Sequence, residues 1–393
     1  MAMADEVYLK LAKFLDRLPG GYPETPDGLE IDILKYCFTP DEAEMAMRLR
    51  LFPEPPAVIA RRSAKPEAEV SEMLAEMAQK GLIIGLGVGD QCFYMANQFV
   101  VGIHEFHVDS IDREYFELVE PYMDYFKDSM TPVKQFRVVP VNSAIDTTGT
   151  IASYDQVRSL VKGQSKAAVA DCICKKGAAL KGEACGKPVE TCLVFDYGAD
   201  LYIRYGKGRE ITIEQALDII EQAEREGLVL MPTNSKEIMN ICCCCSCCCG
   251  VLKLLRMTDR PADHIHSDFS ARVDPDSCTL CETCLDRCQI EAIVERDGSM
   301  YVDPARCIGC GLCVSTCEQN AMSLVARPSP GTIPENQFHM LTEIARERGV
   351  GFGALSPMMK RAKFDKMIKR LPLLYRSGIG RPMANFMAKR GWI

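Results

Sequence analysis

Eight cysteines carry the clearest chemistry in the sequence. Cys278, Cys281, Cys284 and Cys288 follow a C-x2-C-x2-C-x3-C spacing, and Cys307, Cys310, Cys313 and Cys317 repeat it. Thiolates are soft ligands that suit iron–sulfur clusters and zinc. Three of them at C-x2-C-x2-C wrap one corner of a cubane in a tight loop, and two complete runs favour clusters over zinc. Gly309 and Gly311 lie between ligands of the second run. There a missing Cβ lets backbone N–H groups approach the sulfurs and tune the potential.

A second group of cysteines precedes these runs. Cys172, Cys174, Cys185 and Cys192 have the number and loop-rich spacing for one further cluster or one zinc ion. The run Ile241–Gly250 holds seven cysteines in the eight positions 242–249. Adjacent residues cannot all face one ion, so only some can serve any one site. Cys242, Cys245, Cys248 and Cys249 are the candidates from that run. Cys37 and Cys92 stand alone and read as buried small residues. His264 and His266 read as part of a surface linker. Gly85-Leu-Gly87-Val-Gly89 reads as a turn, so neither a flavin nor a nicotinamide site is expected.

The elements that position these residues suggest an α+β multidomain chain. Residues 1–110 read as a helical, winged-helix-like domain. Its apolar residues Val70, Met73, Leu74, Met77 and Ala78 fall at helical spacing over Glu67–Lys80. Two short strands, Leu82–Leu86 and Gln91–Met95, form the expected wing. Residues 111–257 read as a connector, helical over Asp112–Lys127 and extended over Thr131–Val141, leading to a cysteine-rich α/β region. Leu201–Tyr205 reads there as a strand, and Thr212 with Gln215 as a capping box for a helix to about Glu226. Val251–Met257 is a short helix and Thr258–Ser270 a polar linker. Residues 271–326 form the domain of the two runs, each half reading strand, cluster loop, short helix, strand. Val273-Asp274-Pro275 precedes the first run as Val302-Asp303-Pro304 precedes the second. Residues 327–393 are a basic helical tail.

The stretch 271–326 resembles the dicluster ferredoxins of bacteria. The resemblance implies one-electron transfer through two [4Fe–4S] clusters, with the fourth ligand of each drawn from the opposite run. One cluster would then be held by Cys278, Cys281, Cys284 and Cys317, the other by Cys307, Cys310, Cys313 and Cys288. Gln289 and Glu318 stand where that family usually has proline. The wider chain resembles iron–sulfur proteins of anaerobes that join a winged-helix-like region to such repeats, through Cys172-Ile-Cys174, the Cys185–Cys192 segment and Ile241–Gly250. Cys248-Cys249-Gly250 is similar to the Cys-Cys-Gly motif of heterodisulfide-reductase-type subunits, which hold noncubane clusters.

Charge bounds the partners. The net charge is −8, which gives no basic signature of nucleic-acid binding. Glu67, Glu69, Glu72 and Glu76 on the candidate recognition helix would repel phosphate. Residues 327–393 carry 13 Lys/Arg against 4 Asp/Glu, a charge of +9 that leaves −17 on the preceding chain. The tail, with a basic helix at Leu355–Leu371, is expected to sit in solvent, to dock an acidic redox partner or to touch a membrane surface. No apolar run spans a bilayer and the N-terminus lacks signal-peptide features, so a cytoplasmic, oxygen-protected setting is expected. The expected function is relay of single electrons through two clusters, with a third metal site, to a redox protein. A reductase whose substrate-reducing cluster lies in residues 172–249, and a redox-responsive winged-helix regulator, are the rival readings.

Overall fold

A computed structural model describes residues 3–129, 133–141, 144, 156–328, 332–351, 370, 372–373 and 375. The chain forms two compact units. The first comprises 1–133, 204–207 and 338–393, and the second 134–203 and 208–337.

The first unit is mainly helical. α1 (Met3–Asp16), α2 (Leu29–Cys37) and α3 (Pro40–Ala46) precede α4 (Pro56–Ser63) and α5 (Glu67–Lys80). α5 has the length its periodicity predicts. Val70, Leu74, Met77 and Ala78 are buried, while its four glutamates are exposed. Gly81 ends it at φ 87°, a left-handed turn that glycine adopts without strain. β1 (Ile83–Val88) and β2 (Gln91–Ala96) then pair antiparallel as a hairpin. After the single turn α6 (His104–Phe106) comes α7 (Arg113–Tyr122). α7 is shorter than the predicted 112–127 helix, because Pro121 precedes a tightening to 3₁₀ geometry over Met123–Ser129. Pro cannot donate to a continuing helix.

The second unit is built on a five-stranded sheet. Its strands are β3 (Ala167–Asp171), β4 (Glu190–Phe195), β5 (Arg209–Ile211), β6 (Val229–Pro232) and β7 (Asn240–Cys244), in the order β5-β3-β4-β7-β6. All neighbours are antiparallel. The helices are α8 (Val157–Lys162), α9 (Ile173–Leu180), α10 (Tyr197–Arg204) and α11 (Ile213–Arg225). Thr212 and Gln215 form the predicted capping box for α11. Ala216, Leu217, Ile220 and Ala223 are buried where that helix packs on β3, β4 and β6. α10 replaces the strand expected at Leu201–Tyr205. Its buried Gly198, Leu201 and Tyr202 stand at i, i+3 and i+4, a helical face that a five-residue aromatic window conceals. Phe136, Arg137 and Val139 of the predicted extended segment make isolated bridges to Thr233, His266 and Leu230.

α12 (Gly250–Arg256) and α13 (Pro261–His264) lead to β8 (Phe269–Val273). The segment expected as a polar linker therefore holds structure, with Ile265 and Phe269 buried. α14 (Thr283–Arg287), β9 (Ile293–Arg296), β10 (Ser299–Val302) and β11 (Met322–Ala326) follow. β9 pairs with β10, and β8 with β11, both antiparallel. α15 (Gln337–Glu347) comes after them. Most of the basic tail, including 355–369, lies outside the described residues, as do 131–132 of the predicted extended segment. No helix among the described residues is long and apolar enough to cross a membrane.

Candidate metal centres

The internal repeat persists in the loop backbone, but the short helix expected in each half forms only in the first, as α14, while residues 312–316 of the second half are turns. Leu280, Glu282 and Glu291 have φ of 56°, 62° and 55°. At the same offsets in the second half, Gly309, Gly311 and Asn320 have φ of 68°, 76° and 51°. These left-handed residues fold each C-x2-C-x2-C stretch into a tight loop. Only the second loop uses glycine, and contact explains why. A Cβ on Gly309 would collide with the Phe269 carbonyl, and one on Gly311 with Ala144. The first loop meets no such wall at Leu280, which is 37% exposed.

The loops bring cysteines of opposite runs together. One cavity is lined by Cys278, Cys281, Cys284 and Cys317, with Met300 and Met322 at its apolar wall. Burial raises the Cys284 pKa, and Cys278, Cys281 and Cys317 add to the rise. Cys281 is exposed, and a hydrogen bond from the Thr283 hydroxyl lowers its pKa. The other set lies deeper, with Cys307 and Cys313 buried. Burial pushes Cys310 up to about 12 and Cys313 higher still, and the neighbouring Cys288 and Cys307 add to both. The Ala271 amide donates to Cys307 Sγ (3.3 Å) and the Ala292 amide to Cys288 Sγ (3.2 Å). Four convergent thiols with N–H donors aimed at sulfur are the donor set a cubane needs. Burial favours the protonated form of Cys284, Cys288, Cys310 and Cys313, so a metal must displace their protons to bind.

The cysteine-rich run is divided by the end of β7. Successive strand residues face opposite sides, so Cys242 and Cys244 share one face and Cys243 the other. Cys243 is buried in the unit's core with Ile241. Cys242 and Cys244 are hydrogen-bonded neighbours, and Cys249, at the start of α12, bonds Cys244 and Cys174. Cys174 in turn bonds Cys172. These five thiols form one string. Hydrogen bonds from Cys174 and Cys244 hold Cys249 well below the usual thiol range. Lys175 is buried beside the string, donating to the Pro188 carbonyl (2.7 Å) and Thr191 Oγ1 (2.9 Å). The Cys172 pKa is raised by its hydrogen bond with Cys174 and by burial, and that of Cys243 is pushed up to about 12 by burial; the Lys175 charge offsets only part of either rise.

Beyond β7 the chain turns, and Cys245, Cys247 and Cys248 meet Cys185 from the loop before β4. All four Sγ atoms lie within 4.8 Å of one another. Cys185 and Cys245 are 3.9 Å apart, as are Cys247 and Cys248. Burial raises the Cys185 pKa, but the Lys187 amide and the Cys248, Cys247 and Cys245 thiols together outweigh it, and the net direction is down. The eight candidates in residues 172–249 are thus not one site. Cys185, Cys245 and Cys248 join one group, and Cys172, Cys174, Cys242 and Cys249 the other. Cys192 pairs in register with Cys242 across β4 and β7. Cys247 and Cys244 were not singled out by the sequence. The C-x2-C spacing of Cys245 and Cys248 was the available signal for the turn. Cys37 and Cys92 are half-buried residues of the first unit, and no described histidine joins the four-thiol group.

Polar links tie Ser246 and the end of α11 to the residues that flank Cys288, the last cysteine of the first run, and tie the Cys185 loop to the same helix end. Gln289 Oε1 accepts from the Ser246 amide (3.0 Å) and hydroxyl (3.1 Å). Arg287 donates to the Glu224 and Arg225 carbonyls at the end of α11, and Lys187 to the carbonyl of Glu226. Cations at a helix C-terminus satisfy its free carbonyls and its dipole.

Comparison with known proteins agrees with this chemistry. The 4Fe-4S binding domain family matches residues 300–323, which contain Cys307, Cys310, Cys313 and Cys317. No curated protein matches the chain, and no solved structure does. The protein carries a 4Fe-4S binding domain and, with its clustered cysteines, the means to bind at least one iron–sulfur cluster.

Proposed function

We propose that the protein relays single electrons through two [4Fe–4S] clusters to a redox partner protein, with a further metal bound among residues 172–249. One cluster is assigned to Cys278, Cys281, Cys284 and Cys317, and the other to Cys307, Cys310, Cys313 and Cys288. The observation that carries the reading is the single cavity lined by three cysteines of the first run and the last of the second. A cluster bound there supplies a one-electron couple at low potential. The chain's residues do the rest. The amides of Ala271 and Ala292 donate to ligand sulfurs and favour their anionic form. The buried surroundings of Cys307 and Cys313 exclude water. Exposed Cys281 and Leu280 give a partner close access to the outer set. Reduced thiols on this scale suit the cytoplasm.

Anaerobic iron and sulfide analysis with EPR tests the assignment. Cys278→Ser and Cys317→Ser should perturb the same signal, and Cys288→Ser the other. The dicluster part alone accounts for about eight irons. If Cys317→Ser instead alters the signal that Cys307→Ser alters, the crossed assignment fails.

A second reading is favoured by the string Cys172–Cys174–Cys249–Cys244–Cys242 beside buried Lys175. Five thiols with a neighbouring cation could hold a substrate-reducing cluster fed by the other two, making the protein an oxidoreductase. Cys174→Ser would then abolish substrate reduction while leaving both dicluster signals. The regulator reading has less support. The glutamates of α5 face solvent, and two of the three cations just before it are paired, Arg62 with buried Glu54 and Lys65 with Glu69. A salt-sensitive gel shift with DNA would revive it.

A further inference from the structure

We infer that Cys185, Cys245, Cys247 and Cys248 bind one tetrahedrally coordinated divalent ion, zinc or ferrous iron, and not a polynuclear cluster. The inference rests on that part of the proposed function that places a metal among residues 172–249, and it specifies which thiols and how many metal atoms.

The spacing of the sulfurs decides the nuclearity. Four thiolates around one ion at bonds of about 2.3 Å form a tetrahedron with edges of about 3.8 Å. Two Sγ pairs here stand at 3.9 Å, and every pair lies within 4.8 Å. Thiolates of a cubane hang outward from four separate irons. Each is further from the centre by the radius of the iron tetrahedron, so their mutual spacing must be larger than around one ion. The four thiols converge too closely for that.

Local structure supports a small, closed site. Cys245 and Cys248 are a C-x2-C pair within a turn, and the Cys248 amide donates to Cys245 as the Lys187 amide donates to Cys185. Such N–H bonds spread the charge of thiolates on a metal. Four protein ligands complete a tetrahedron and leave no position for water or substrate, the mark of a structural ion. The ion would fasten the loop before β4 to the turn after β7. Ser246, between two ligands, is the residue that holds Gln289. Lys187, two residues after Cys185, caps α11. The ion would therefore brace the sheet against the loop that carries Cys288. The string through Cys174 and Cys249 is separate, because its members use other thiols.

Metal and sulfide counts on the anaerobically purified full-length protein test this. Cubanes contain iron and sulfide in equal number. The wild type is expected to contain either one zinc per chain or one iron more than its sulfide. Cys185→Ser and Cys247→Ser should each remove that one metal atom and leave sulfide and both dicluster EPR signals unchanged. Zinc absent with iron equal to sulfide would overturn the inference, as would loss of sulfide along with iron in either variant. Should the variants not fold, X-ray absorption on the wild type decides. Four sulfurs at about 2.3 Å around zinc, or a lone high-spin iron in the Mössbauer spectrum, supports a single ion. An iron–iron vector accounting for all the metal overturns it. Failure of the electron-relay reading would appear differently, as missing sulfide.

Discussion

Leu280 and Gly309 occupy the same place in the two cysteine loops and the same left-handed region, yet they answer to different constraints. A left-handed conformation costs a residue with a Cβ about 1–2 kcal/mol, and glycine's extra freedom in the unfolded chain offsets part of that gain. Leu280→Gly should therefore leave stability nearly unchanged. Gly309→Ala must in addition push a methyl into the Phe269 carbonyl, and should cost more than about 1 kcal/mol. Urea midpoints of the two variants check the asymmetry, and equal losses would contradict it. In the first unit, burial holds His104 down to about 3 from 6.5 and pushes Glu105 up to about 7 from 4.5. The signs oppose. Below pH 6.5 the unfolded His104 gains a proton that the folded form refuses, so stability falls as pH drops toward 3. His107, also lowered by burial, adds to that sign. Above pH 4.5 the unfolded Glu105 ionises while the folded one stays neutral, so stability falls as pH rises toward 7. Glu105→Gln should expose the histidine slope, and the double change His104→Gln/His107→Gln the glutamate slope, which approaches about 1.4 kcal/mol per pH unit for the one carboxyl. Urea midpoints of the first unit between pH 4.5 and 6.5 read both. Parallel curves for the two variants would refute the opposition.

At the scale of elements, the loops that carry the candidate ligands are held by contacts with distant helices and turns. Gln289 replaces the proline usual in the ferredoxins this stretch resembles, and its carbonyl oxygen takes two hydrogen bonds from Ser246. Gln289→Ala strands a part-buried amide and should cost the second unit about 1–2 kcal/mol, measured by urea unfolding. No loss would mean that water replaces the bond. This contact could not be read from the sequence, because residues 246 and 289 are neighbours only after the sheet forms. The ligand spacings and α5 were legible for the opposite reason. Both are local, one a fixed offset between like residues, the other a stripe of period 3.6 closed by Gly81. α10 was misread because the short window Leu201–Tyr205 omits Gly198, which completes its buried face. The division of Cys242–Cys249 depends on where β7 ends, and pairing with β4 and β6 sets that limit.

For the whole molecule, charge is unevenly shared. Residues 271–326 hold nine carboxylates and four arginines, a net −5 around the proposed relay. A redox partner that docks there needs a cationic face, and its rate of association should fall as salt is raised. Glu282→Lys, beside exposed Cys281, should slow electron transfer several-fold at low ionic strength, followed by stopped-flow absorbance. An unaltered rate would place docking elsewhere. The β7 segment has a further consequence, for assembly. A run of seven thiols in eight positions is an ambiguous chelator. An unfolded chain offers a metal ion many interchangeable combinations, nearly all of them wrong. Strand pairing on both edges of β7 removes the ambiguity, since a slip of one residue would send every thiol to the opposite face. Hydrogen-bond register thus acts as proofreading for ligand choice, and loading should succeed only after the sheet has closed. Refolding with excess zinc present from the start should then give less correctly loaded protein than adding zinc after refolding, and equal yields would argue against that order.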